Sequence, residues 1–384
     1  MIPLCVPEIS GNEWRYIKEC LDTNWVSSVG SYVDLFEEKF RAYIQSKAAV
    51  VTMNGTAAIT LALQTLGISR GDEVIVPSMT FIASVNPIKY VGAEPVFVDI
   101  TPDTWVMDVN KVEELITERT KAIIPVHLYG NMVDMEPLMQ IAQKYRLYVI
   151  EDATEALGAE YRLKDGTWHK AGTLGHVGAF SFNGNKLITT GAGGMLITNN
   201  KEWGERAKYL SNQTKTILAN GGFYHEEVGY NYRMPNILAA MGVAQLERID
   251  EYIEKKLQHA ALYNNLLRDI QGIQLPTQKE NVKHVQWLYC ILVNESYGLS
   301  RDALIQKLKD HGIMSRPFFE SIHTMPPYIG NKKGSMDVTN QITKKGINLP
   351  SSVGLTVDEI KIVCKCIQGW VYEKENSCNN GNKS

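Results

Sequence analysis

The chain has 384 residues, 44% hydrophobic and 21% charged, enough for one large domain and a smaller one, each with its own core. Lysine and arginine total 39 against 42 acidic residues, a formal charge of -3 with no basic patch, so nucleic acid is not an expected partner. Six sparse cysteines exclude a disulfide framework, and no segment reads as a secretory leader or membrane span, so a soluble, reducing, cytoplasmic setting is expected.

In chain order, the first helix is expected from about Gly11 to Leu21, capped by Ser10, with Trp14, Ile17 and Leu21 on one face. A loop of small residues, Thr23 to Gly30, follows. From Ala48 the pattern becomes strand, helix, strand. Ala48–Met53 reads as a strand, Thr56–Leu66 as a helix ended by Gly67, and Glu73–Val76 as a strand closed by Pro77. Phe81–Val91 reads as a helix, Glu94–Asp99 and Ala122–Val126 as strands, and Met135–Tyr145 as a helix. Leu147–Ile150 is a strand closed by the acidic pair Glu151-Asp152, Arg162–Gly172 a hairpin excursion, and Val177–Phe182 a further strand. Asn236 past Leu266 is a long helical stretch; Val285–Val293 is a strand and Arg301–His311 a helix. Thr356–Val371 is a helix opened by the capping box Thr356-x-x-Glu359. Cys364 and Cys366 point to different faces of that helix, against a metal pair. The pattern predicts an α/β fold, a mostly parallel sheet flanked by helices over residues 1–250. A smaller α+β domain over 251–372 and a disordered polar tail over 373–384 complete it.

In parallel sheets ligands bind at the carboxyl ends of the strands, and Asn54, Pro77, Asp152 and Lys186 all follow strands. Lys186 stands between two strand-like runs among small residues, where a pocketed amine can be kept neutral and nucleophilic; judged alone it reads more readily as a solvated loop lysine, and the other motifs shift that balance. Asn54-Gly-Thr-Ala-Ala58 opens a helix and suits a phosphate, or is simply an N-cap by Thr56. Asp152 can pair with a protonated pyridine nitrogen, or cap the next helix, while Glu155 fits a first helical turn. Phe81 can stack on a planar ring or serve as core, and Gly229-Tyr-Asn-Tyr-Arg-Met crowds polar and aromatic groups before the long helix. Lysine, strand-tip carboxylate, phosphate seat and stacking aromatic, in this order, are the parts a pyridoxal phosphate enzyme needs.

Across Pro3 to about Val371, the sequence resembles the DegT/DnrJ/EryC1/StrS sugar-nucleotide aminotransferases, of the fold-type I pyridoxal phosphate class. The markers are Asn54-Gly-Thr-Ala-Ala, Pro77-x-x-Thr-Phe81, Val126-His-Leu-Tyr-Gly130, Glu151-Asp-Ala, Ser181-Phe-Asn-Gly-Asn-Lys186, Gly229-Tyr-Asn-Tyr-Arg-Met and Gly346-Ile-Asn-Leu-Pro-Ser. The resemblance implies that Lys186 forms the Schiff base and moves protons, Asp152 pairs with the pyridinium nitrogen, and Glu155 lies near the phenolic oxygen. It further implies that Phe81 covers the ring and that Thr56, Ala57 and Ser181 bind the phosphate, joined by Asn231 from a second subunit of a homodimer. L-glutamate is the implied donor, the amine form of the cofactor the intermediate carrier, and a nucleotide-linked 4-keto-6-deoxyhexose the acceptor, for surface polysaccharide or glycan synthesis.

Two branches of that family compete. Thr80-Phe-Ile-Ala-Ser-Val-Asn86 and His323-Thr-Met-Pro-Pro-Tyr328 resemble perosamine synthases, which use a GDP sugar. Ser181-Phe-Asn-Gly-Asn-Lys and His225-Glu-Glu-Val-Gly-Tyr-Asn-Tyr resemble enzymes of UDP-2-acetamido sugars. Asn183, where perosamine synthases usually carry an aromatic, leaves room for a C2 acetamido group, and the reading leans to the UDP branch on that position. Trp25, Ser28, Arg316 and His323 are further candidate substrate contacts. Ala192 stands where the family often has glutamate. A dehydratase relative would tend to replace Lys186 by histidine, and a non-catalytic sensor would show no ketosugar-dependent conversion of glutamate.

Overall fold

The computed structural model describes residues 1–380, and side chains as far as Gly369. The helix expected over Thr356–Val371 runs over Val357–Asn380, into the segment 373–384 expected as a tail, whose last four positions lie outside the described residues. Seven strands form the large sheet: β1 (Ala48–Thr52), β2 (Glu73–Pro77), β3 (Glu94–Val98), β4 (Thr120–Ile123), β5 (Tyr148–Asp152), β6 (Val177–Ser181) and β7 (Gly194–Thr198). Their order is β1-β7-β6-β5-β4-β2-β3. β3, β2, β4, β5 and β6 pair in parallel, and β7 runs antiparallel to both β6 and β1. Val74, Ile75 and Val76 of β2 are fully buried, as continuous apolar strands must be when helices cover both faces.

Helix α1 (Glu13–Asp22) begins two residues later than expected, capped at Asn12 without a side-chain bond rather than by Ser10. Its apolar stripe does not face the core, since Trp14 is 80% and Leu21 54% exposed, while Glu13 and Cys20 are buried. Helix α2 (Ser31–Ile44) was not anticipated; its Phe36 and Phe40 meet Phe182 at ring distances of 5.1 and 5.5 Å. The next helix, α3 (Gly55–Thr65), follows β1 as expected. The helix expected over Phe81–Val91 is instead a single turn at Ile82–Ser84 and a short helix Asn86–Tyr90, broken where Pro87 lacks an N–H. Glu151 and Asp152 belong to β5 itself. The long helical stretch splits into Asn236–Leu246 and α4 (Ile249–Leu267).

A second sheet, β8 (Ile273–Gln274), β9 (Tyr289–Val293), β10 (Arg316–Pro317) and β11 (Gly346–Leu349), is antiparallel in the order β8-β9-β11-β10. Tyr263 and Leu267 of α4, Leu304 and Ile360 close its core together with Ile2 from the chain start. The capping box forms: Glu359 N donates to Thr356 Oγ1 at 3.2 Å and Thr356 N to Glu359 Oε2 at 2.9 Å. Trp287, Phe318 and Cys290, by contrast, pack into the core of the large sheet, so the two sheets share a contact layer. That layer lies beside the carboxyl ends of β5 and β6.

Candidate active site

The start of α3 is fixed by Asn54, whose Oδ1 accepts from Ala57 N at 2.8 Å, so Asn54 rather than Thr56 is the cap. Gly55 permits a close approach there, since a Cβ at that position would lie 2.9 Å from Ser181 Cβ and 3.0 Å from Thr154 Cγ2. The helix N-terminus thereby abuts the end of β6, bringing Thr56, Ala57 and Ser181 around one anion-favouring point.

Asp152, the last residue of β5, is 2% exposed. Ser84 donates to its Oδ2 at 2.6 Å, Ser84 in turn sharing a 2.8 Å bond with Thr80, and Thr154 N donates to Oδ1 at 3.1 Å. A carboxylate held this firmly at a strand tip can face a cation without rotating. Its neighbour Glu151 points the other way and takes 2.8 Å hydrogen bonds from His127 Nε2 and Gly172 N. Val133 N donates to His127 Nδ1 at 3.3 Å, which leaves Nε2 as the protonated nitrogen.

Lys186 follows β6 in a tight loop; its N–H donates to Asn183 O at 3.0 Å. Its Nζ lies 3.4 Å from Glu155 Oε1 and 3.9 Å from the centre of the Trp287 ring, with the side chain 13% exposed. Glu155 also accepts from Tyr129 N at 2.9 Å. Burial pushes the Glu155 carboxyl above its ordinary range, although Lys186 and the Tyr129 N–H pull the other way. Tyr129 holds φ at 55°, an unusual conformation for a bulky residue, and so turns its N–H toward the carboxylate. The Tyr129 ring stacks on Phe319 at 5.5 Å, and Phe319 meets Phe81 at 5.8 Å. Phe81 itself is 55% exposed, an aromatic face left open beside the strand ends.

Lys186, Glu155, Asp152, Ser181, Thr56, Ala57 and Phe81 therefore gather at one edge of the sheet, where the sequence put them. Asn183 is exposed and bridges Gly191 across the lysine loop, which seats it beside the exposed Ala192. Other candidates lie apart. The His323 ring is buried, its Nδ1 2.7 Å from Ser78 Oγ, and burial pushes its pKa down; it is braced inside the protein. Arg316 is exposed on β10, opposite Asn348. Trp25 is 55% exposed, its carbonyl accepting from Asn236 at 2.8 Å, and Ser28 is partly buried nearby. Asn231 is exposed and bridges Asn212. Among the described residues none of these five makes a hydrogen bond to the Lys186 cluster. Sequence reasoning missed Trp287 and Ser84. Ser84 sits in a quoted motif, whereas Trp287 carries no local signal and reads as an ordinary core aromatic.

An amine, a clamped carboxylate, an open aromatic face and a helix N-terminus packed tightly enough to exclude a Cβ fit pyridoxal phosphate in charge and shape. The same architecture occurs in Spr1654 of Streptococcus pneumoniae, assigned as a sugar aminotransferase and solved with PMP and with PLP. The PMP form matches with a TM-score of 0.90 and 27% identity over 97% of this chain and 100% of that one. DesV of S. venezuelae matches with a TM-score of 0.85 and 32% identity over 94% of each chain. The model of the DegT/DnrJ/EryC1/StrS aminotransferase family matches residues 7–368, and the chain belongs to that family. It is a sugar aminotransferase that depends on pyridoxal phosphate. Its relatives include the GDP-perosamine synthase of Escherichia coli O157:H7, 42% identical over 97% of this chain and 99% of that one. The GDP-perosamine synthase of Caulobacter vibrioides is 44% identical over 94% and 95%.

Proposed function

We propose that the protein transfers the amino group of L-glutamate to C4 of a nucleotide-linked 4-keto-6-deoxyhexose, with the GDP-linked 4-keto-6-deoxymannose as the leading acceptor. The observation that carries the chemistry is Lys186 Nζ, 3.4 Å from Glu155 Oε1 and set between that carboxylate and Trp287. Bound here, pyridoxal phosphate supplies the carbonyl that holds the migrating amino group and the ring that accepts the electron pair. In the proposed roles, Lys186 holds the cofactor and moves the proton at the carbon being aminated, and Glu155 orients the lysine amine. Asp152, clamped by Ser84, keeps the ring nitrogen protonated. Thr56, Ala57 and Ser181 seat the phosphate at the start of α3, and Phe81 covers the ring. Glutamate leaves as 2-oxoglutarate before the sugar enters.

The names of the two perosamine synthases support the GDP sugar. One observation favours a second reading, a UDP-2-acetamido-4-keto sugar: Asn183 and Ala192 are small, exposed and adjacent, leaving room beside Lys186 for a C2 substituent. A homodimer is proposed as well, with Asn231 of one copy reaching the phosphate of the other. Its support is a run of exposed apolar side chains on the same excursion, Ile217, Phe223, Tyr224 and Val228, which a second copy would cover.

The test is a panel of GDP-, UDP- and dTDP-linked 4-keto-6-deoxy sugars with glutamate, reading 2-oxoglutarate release and the product by NMR. The GDP sugar is expected to turn over fastest; preference for the UDP-acetamido sugar would move the assignment to the second reading. Lys186→Ala should abolish transfer, and transfer at the parent rate would refute the role of the lysine.

A further inference from the structure

Lys256, on α4, is 3% exposed, and among the described residues it has no carboxylate partner. Its Nζ donates to two backbone carbonyls from separate segments, Trp287 O at 2.6 Å and Ser351 O. Burying an ammonium without a counter-ion is strongly unfavourable, and burial indeed pulls its pKa down. An apolar side chain would fill the same space at less cost. What the ammonium does that methionine could not is hold the Trp287 carbonyl.

Trp287 needs holding. The residue before it, Gln286, has φ 52°, a left-handed conformation that a non-glycine residue keeps only when its neighbours enforce it. Beyond that turn the Trp287 ring is 3.9 Å from Lys186 Nζ. The indole Nε1 donates to Asn185 O at 2.8 Å, one residue before the lysine, and Cys5 Sγ shares that acceptor at 3.3 Å. One tryptophan therefore touches both the carbonyl of the residue before the lysine and the lysine amine.

We propose that Lys256 is a positioning residue for Lys186: through the Trp287 carbonyl it fixes the indole that confines the lysine amine whenever that amine is free. This rests on the assignment of Lys186 as the cofactor lysine. That assignment is checked separately, by loading the enzyme with pyridoxal phosphate, reducing with borohydride and mapping the pyridoxyl group. A label elsewhere than Lys186 refutes the assignment; a label on Lys186 leaves the inference to stand or fall on the following measurement.

The full chain, freed of cofactor, is treated with an acetylating reagent, and the acetylation rate of Lys186 is read by peptide mass spectrometry relative to exposed Lys47. Trp287→Leu removes the ring face, and Lys256→Met and Lys256→Gln remove the ammonium. Each should raise the Lys186/Lys47 ratio about three- to fivefold, the factor a cation–π contact supplies. Trp287→Phe keeps a ring face and should stay within about twofold. A Lys256 that merely supports the fold would lower the melting temperature and leave the ratio unmoved. An unchanged ratio in folded Lys256→Met or Lys256→Gln overturns the proposal. If neither folds, an unchanged ratio in Trp287→Leu does so.

Discussion

Gly55→Ala would set a Cβ 2.9 Å from Ser181 Cβ and 3.0 Å from Thr154 Cγ2. Carbon atoms rest about 3.5 to 4.0 Å apart, so the start of α3 must withdraw from the end of β6 by about 0.6 Å or more. Overpacking of this kind costs about 1–3 kcal/mol, and the better helix propensity of alanine returns about 0.5–1 kcal/mol. The ligand-free protein should therefore lose no more than about 2.5 kcal/mol of stability. The larger effect falls on the cofactor. If the helix N-terminus seats the phosphate, misaligning its N–H groups should remove about 1–2 kcal/mol of binding, raising Kd about 5- to 30-fold. Absorbance titration with pyridoxal phosphate measures this. Gly184→Ala serves as control, its added Cβ meeting nothing within 4 Å among the described residues. Parental affinity in Gly55→Ala, with parental melting, would refute the assignment of Thr56, Ala57 and Ser181 as the phosphate seat.

Ser84→Ala removes the 2.6 Å hydrogen bond to Asp152. It should destabilise the protein by about 1.5–3 kcal/mol in denaturant titrations and weaken pyridoxal phosphate binding several-fold, with Ser84→Thr closer to parent. His284 is buried with Nδ1 accepting from Gln286 N at 2.8 Å, and burial pushes its pKa from 6.5 down to about 3. The unfolded chain takes up this proton as pH falls through 6.5 while the native state refuses it until about pH 3. Its contribution is thus full above the higher value and is lost at about 1.4 kcal/mol per pH unit below it. His284→Asn should flatten the fall in denaturant midpoint between pH 7.5 and 5; an unchanged slope would show that His284 does not set it. Ala192→Glu, at an exposed position, should keep stability within about 0.5 kcal/mol and alter sugar preference rather than the rate of the glutamate half-reaction. A lost glutamate half-reaction in a folded variant would contradict that.

Much of the candidate site's edge was legible because parallel strands, buried on both faces, are written as short continuous apolar runs. The residue that ends each run then falls at the ligand edge, as Asp152 and Asn54 do. Periodicity was weaker where the covering partner decides. Trp14 and Leu21 make an apolar stripe on α1, yet both stay exposed, while Glu13 on the same helix is buried and accepts from Gln245. Asn86-Pro87 interrupts an apolar pattern that had no other flaw. Trp287 lies a hundred residues from Lys186 in sequence, and only the layer shared by the two sheets brings it to the amine. His323 shows the reverse: it was expected among the substrate contacts, and Ser78 holds its ring inside.

The lysine loop also limits how this enzyme can change. Asn183 bridges Gly191 and accepts from the Lys186 N–H, and the Thr190 N–H closes back onto Phe182 at 2.9 Å. Side chains along this loop can be exchanged without disturbing the turn, because Asn183 and Ala192 project outward. Its length cannot, since one residue added or lost would break the bridge and carry Lys186 away from Glu155. Divergence to new sugars should therefore run through point substitution in this segment, with insertions confined to other loops around the pocket.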